Sequence, residues 1–186
     1  MAIATLDDLR STARWDSDDR AKLAKSVGGK NIFLSHSQSD LRPAVHAIDI
    51  LEQHGANVYM DVRDAEIASS SSDREIAMRL RRAIQQTRRL AVLVTENTST
   101  SRWIPWEMGV ADGISGPEKV AVFPFRRDSN AASLWAEQEY FELYARVESV
   151  RYPPGSAPQW IVRIPNGTPS GNIRPLGLWL AESKPH

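Results

Sequence analysis

Leu90-Ala91-Val92-Leu93-Val94 is a continuous aliphatic run with no polar member. A strand with one wet face alternates apolar and polar residues, whereas a strand covered on both faces is apolar throughout. The run therefore predicts the central strand of a parallel sheet with helices above and below it. Upstream, Ser69 to Ser72 end a polar loop, and Asp73 is expected to cap a helix whose stripe is Ile76, Leu80 and Ile84, at i, i+4 and i+8. Downstream, Glu96–Ser101 reads as a loop into a further helix, and Val120-Ala121-Val122-Phe123 as a buried strand stopped by Pro124.

The pattern extends in both directions. Asn31–Ser35 and Val58-Tyr59-Met60 read as short buried strands. Between them lies a helix capped by Ser39 or Asp40, with Pro43 in its first turn, Val45, Ile48 and Leu51 along one face, and Gly55 closing it. Residues 131–147 read as helical, and Glu148–Tyr152 as a fifth strand. Strand and helix alternate about five times, which predicts an α/β fold with a five-stranded parallel sheet and helices on both faces. Residues 1–29 are expected to form an N-terminal helical arm, with helices near Leu6–Arg14 and Asp18–Val27, and residues 30–152 the domain. Pro153-Pro154-Gly155 breaks the pattern, and residues 153–186 form a C-terminal extension. There Trp160–Ile164 reads as one more strand, and Leu176–Leu180 with Trp179 as a segment apolar enough to dock on the domain.

Composition narrows the function. In a chain of 186 residues, 23 Lys and Arg balance 23 Asp and Glu, so no overall field favours nucleic acid or an anionic membrane. The arginines at 79, 81, 82, 88 and 89 are read as a solvated or partner-facing surface. The chain has no cysteine, which removes disulfides, thiolate metal sites and a thiol nucleophile. No stretch approaches the roughly 20 apolar residues of a membrane span, and the N-terminus lacks the pattern of a signal peptide, so the expected setting is cytoplasmic. His36, His46 and His54 are spaced unlike a metal-ligand pair and no metal site is expected. Gly28-Gly29-Lys30 lacks the spacing of a phosphate loop.

Chemistry gathers in Ser101-Arg102-Trp103-Ile104-Pro105-Trp106-Glu107. Side chains four apart share a helix face, so Trp103 and Glu107 are expected to point the same way, an indole wall ending in a charge that suits a planar cation. Trp106 is assigned to the core. From spacing alone, Glu107 reads first as an acid placed for the helix dipole.

Three pieces in order resemble the Toll/interleukin-1 receptor (TIR) domain: Ile32-Phe33-Leu34-Ser35-His36-Ser37, then Tyr59-Met60-Asp61-Val62-Arg63-Asp64, then Ser101-x-Trp103-x-x-x-Glu107. The last resembles the segment that carries the catalytic glutamate in NAD-cleaving members. After Arg63-Asp64 the adaptor-type Pro-Gly is missing, which departs from receptor-signalling members. The resemblance implies a flavodoxin-like fold and a stand-alone bacterial enzyme. Its activity would be that of an NAD+ nucleosidase or ADP-ribosyl cyclase making ADP-ribose or a cyclic messenger in antiviral defence. NAD+ would be its substrate, with no cofactor. It would self-associate through TIR surfaces, a separate effector reading the product. Glu107 would be catalytic, at an exposed rim. Ser35, His36, Asp61, Arg63, Ser101 and Trp103 would bind the substrate, His36 against the adenine or second ribose. The competing reading is a non-catalytic scaffold working by TIR–TIR assembly.

Nicotinamide joined to ribose leaves as a neutral molecule, so no acid has to protonate it. One carboxylate that steadies the sugar cation is enough, whereas ordinary glycosidases need two carboxyl groups.

Overall fold

A computed structural model of the chain describes residues 4–5, 29, 31–61, 72–126, 139–166 and 172–181. The expected arm helices, Arg63, most of the serine-rich loop and residues 131–138 lie outside them. Strand β1 is Ala4–Thr5, β2 Ile32–Ser35 and β3 Val58–Met60, with helix α1 (Leu41–Gln53) between β2 and β3. Helix α2 (Asp73–Gln86), β4 (Arg89–Val94), α3 (Trp103–Ser115) and β5 (Val120–Arg126) follow. The chain then forms β6 (Ala145–Val150), β7 (Gln159–Ile164), β8 (Asn172–Pro175) and α4 (Leu176–Ala181).

The sheet order is β3-β2-β4-β5-β6-β7-β8, with β1 paired to β5 off this path. The pairs from β3 to β6 are all parallel, the five-stranded block the alternation predicts. Beyond it the sheet continues: β7, the strand expected near Trp160–Ile164, adds antiparallel to β6, β8 adds antiparallel to β7, and β1 adds parallel to β5.

The aliphatic run explains the layering. Alternate residues of a strand face opposite sides. Ala91 and Leu93 pack in one buried cluster with Ile32, Leu34, Ala47, Ile48 and Leu51 of β2 and α1, and with Trp179 of α4. Leu90, Val92 and Val94 pack in the other with Phe33, with Ile76, Leu80 and Ile84 of α2, and with Ile104 and Met108 of α3. One strand thus feeds two cores, which is why its Leu90–Val94 stretch carries no polar residue.

Local details revise the sequence reading. Ser72, not Asp73, caps α2: its hydroxyl accepts from Glu75 N at 3.3 Å while the Glu75 carboxylate accepts from Ser72 N at 2.8 Å, a capping box. Asp40 occupies the N-cap position of α1, yet its side chain makes no cap bond. Gly55, with φ +89°, follows α1 in the left-handed region that a glycine enters without strain. The buried face of α1 is Ala44, Ala47, Ile48, Ile50 and Leu51, with Val45 only half-buried.

Pro124 does not stop β5, which runs on to Arg126. Strand β6 registers only with Ala121 and Val122, so β5 has no β6 partner at Pro124, and a residue without an N–H is tolerated there. The helix expected to reach residue 147 is instead a 3-10 turn over Glu139–Leu143, followed by β6 from Ala145. Alternating Ala145/Arg146/Val147/Glu148 has the two-residue period of a strand.

Candidate active site

Strand β2 lies between β3 and β4, so the chain leaves it in one direction and returns on the other side. In open α/β sheets this reversal opens a crevice outside the carboxyl ends of the strands. A cleft of about 450 Å³ occupies that position, lined by Ser35 and His36 after β2, Asp61 after β3, and Ser101, Trp103 and Glu107 after β4. The six described site residues expected from the sequence therefore meet on one wall system. Arg63 lies outside the described residues. Sequence reasoning missed Ser37, Gln38, Ser39, Asp73 and Ile76, which also line the cleft. Their signal was adjacency: Ser37 to Ser39 follow β2 directly, and Asp73 opens α2.

The reading of Glu107 as an exposed rim residue is corrected: it is 3% exposed. Its carboxylate turns inward, on the wall of the cleft, and accepts a hydrogen bond from the Ser35 hydroxyl across 72 residues of sequence. Glu107 lies on the buried face of α3 with Ile104, Met108 and Ala111, the i, i+3, i+4, i+7 pattern of an inward-facing helix stripe. Trp103, one turn earlier on α3, is half-buried on the same wall, as the i, i+4 spacing predicts. Its ring meets Trp106 edge-on, centroids 5.7 Å apart at 84°. Trp106 is half-buried and packs against the α2/α3 core rather than lying inside it.

The two loops that carry the cleft are tied together by Asp40. Its carboxylate, 3% exposed, accepts from Thr95 Oγ1 at 2.6 Å and from Asn97 Nδ2 at 2.7 Å. This explains why Asp40 leaves α1 uncapped: the side chain serves the loop after β4 instead. Thr98 Oγ1 accepts from Thr95 N at 2.8 Å, and Ser101 Oγ accepts from Ile104 N at 3.3 Å, leading the chain into α3.

The three acids of the cleft sit differently. Asp61 pairs with Arg79 at 3.2 Å and Asp73 with Arg102 at 2.5 Å, whereas Glu107 meets a neutral hydroxyl. Behind Asp61, Tyr59 has its phenol pushed above the ordinary range, by burial first and then by the nearby Asp61 charge. The arginine-rich segment is not uniformly solvated: Arg89 is buried with its guanidinium 4.4 Å from the Trp179 ring centre. Among the described residues no three His, Asp or Glu side chains gather as a metal site would require. No helix among them is long and apolar enough to cross a membrane.

A largely parallel sheet with helices on both faces and an acid-lined cleft at its reversal point places the chain in the open α/β class. The family model described as TIR domain matches residues 32–151, and the chain belongs to the TIR domain family. A probable 3' cyclic ADP-D-ribose synthase, ThsB', of Bacillus cereus (strain MSX-D12) is 37% identical over 118 residues, covering 63% of this chain and 60% of that protein. The chain thus aligns with about three fifths of that relative's length. Among solved structures, the TIR domains of the activated Roq1 resistosome recognising the effector XopQ match at 25% identity and a TM-score of 0.38, over 55% of this chain and 60% of that one.

Proposed function

We propose that the cleft binds NAD+ and cleaves the bond between nicotinamide and ribose, yielding ADP-ribose or a cyclic ADP-ribose-type messenger. The observation that carries this reading is Glu107: a carboxylate sunk in the cleft wall, held by Ser35, one helical turn from an indole. Fixed charge in a site sheltered from water stabilises a developing cation more strongly than the same charge in bulk solvent. Glu107 steadies the oxocarbenium-like ribose as neutral nicotinamide departs, and Ser35 fixes the carboxylate. Trp103 bounds the ring, while His36, Asp61 and Ser101 line the remaining space, and Arg63 is kept as a substrate-binding residue on the TIR resemblance alone. Water or a group on the substrate itself then takes the sugar carbon. The synthase name of the Bacillus cereus relative favours the cyclic outcome. Self-association, a product-reading effector and a place in antiviral signalling belong to the same proposal.

The test is mass spectrometry of NAD+ incubated with concentrated protein. Because Glu107 is buried, Glu107→Gln is the informative variant: it keeps an acceptor for Ser35 and removes the charge. Nicotinamide release should fall about a hundredfold or more while the melting transition stays close to wild type. Equal release from both proteins, or none from the wild type at any concentration, would defeat the proposal and favour the scaffold reading.

A further inference from the structure

The cleft wall is acidic. Asp61, Asp73 and Glu107 line it, and among the described residues Arg102 is the one Arg or Lys that does so. This suits the cationic end of the proposed substrate and, among the described residues, leaves its diphosphate with one guanidinium to meet. Arg102 is held at the mouth rather than inside the wall: its side chain is 69% exposed, that of Asp73 64%, and they meet at 2.5 Å. Arg102 belongs to the loop that enters α3, and Asp73 opens α2, so the pair bridges two elements that flank the cleft.

We infer that Arg102 is the diphosphate-recognising residue of the cleft, and that Asp73 is an internal stand-in that occupies its guanidinium until substrate arrives. The inference rests on reading the cleft as a dinucleotide site. Three features support it. An exposed ion pair holds its partners weakly, so exchanging one anion for another costs little. A guanidinium presents a planar fork that matches phosphate oxygens, and a diphosphate brings more charge than one carboxylate. The Arg102 guanidinium also lies 5.3 Å from the Trp103 ring centre, so the indole already faces a cation. When Arg102 turns to the diphosphate, the nicotinamide cation can take its place over Trp103.

Calorimetric titration with ADP-ribose and with adenosine tests this without requiring turnover. Wild-type protein should bind ADP-ribose more tightly than adenosine. Arg102→Gln should weaken ADP-ribose by about tenfold, the loss of one charged hydrogen bond, and leave adenosine unchanged. Asp73→Asn should strengthen ADP-ribose by removing the competitor. Both substitutions sit on the surface, so melting transitions should match wild type. The inference is overturned if Arg102→Gln binds ADP-ribose as wild type does, if it weakens both ligands alike, or if wild type shows no preference for the diphosphate. Nicotinamide release is measured separately: its absence alongside an Arg102-dependent ADP-ribose preference would sink the cleavage reading and leave this one standing.

Discussion

Two carboxylates lie almost equally deep in this molecule and are handled in opposite ways. Glu107 is 3% exposed on the wall of a cleft and accepts from a neutral hydroxyl. Glu148, 6% exposed on β6, is clasped by two guanidiniums: Arg146 Nε donates at 2.5 Å from its own strand, and Arg163 Nη2 at 2.9 Å from β7. Arg146 and Arg163 are register partners, so the antiparallel pairing itself delivers both cations to one acid. Burial alone would raise the Glu148 pKa, but the hydrogen bond from Arg163 and the Arg146 charge outweigh it and hold the carboxyl below its ordinary value. The contrast separates two uses of a buried charge. The one at β6–β7 is spent within the fold, and the one at the reversal point faces space that a ligand can fill.

Matched Glu→Gln variants should break the symmetry. Glu107→Gln is expected to lose turnover with little change in stability, as set out above. Glu148→Gln should do the reverse. It removes the charge that two arginines clasp, their side chains only 11% and 17% exposed. A cost of about 2–4 kcal/mol is expected in urea unfolding, with nicotinamide release per folded molecule unchanged. The pH dependence sharpens the point. Because the folded pKa of Glu148 lies below that of an ordinary glutamate, its stabilisation is full above the ordinary value and is lost as pH falls through the folded pKa. The urea midpoints of wild type and Glu148→Gln should therefore differ near neutrality and draw together as the pH falls below the ordinary carboxylate range. A gap that persisted in acid would show that the variant acts through packing instead.

A smaller effect is expected where the cleft borrows from the fold. Asp40→Ala removes the acceptor of both Thr95 and Asn97. A loss of about 1–3 kcal/mol in stability, and of about tenfold in turnover as the loop before Trp103 drifts, should appear together. Asp40→Asn, which keeps one acceptor oxygen, should recover part of the turnover. The smallest change is expected at the α2 cap. Ser72→Ala should cost about 1 kcal/mol in thermal melting, with less effect on turnover than Asp40→Ala.

Much of the fold was legible because its signals are local. The aliphatic run of β4, the stripe of α2 and the i, i+4 pair on α3 can each be read from a short stretch of neighbours. The TIR resemblance pointed to Ser35, Asp61 and Trp103, and they meet because loops at the carboxyl ends of parallel strands converge. The antiparallel turn of the sheet was harder. The alternation Ala145/Arg146/Val147/Glu148 was present in the sequence, but the apolar residues before it drew the helix assignment too far.

By itself the sequence determined the α/β alternation, the family, and which side chains cluster near the reversal point. The depth of Glu107, its hydrogen bond from Ser35, the Asp40 tie between two loops, and the clasp of Glu148 were decided only by tertiary structure. The reason is physical. Periodicity belongs to contiguous residues and is written along the chain, whereas burial and pairing of residues 72 apart exist only once strands have chosen their neighbours.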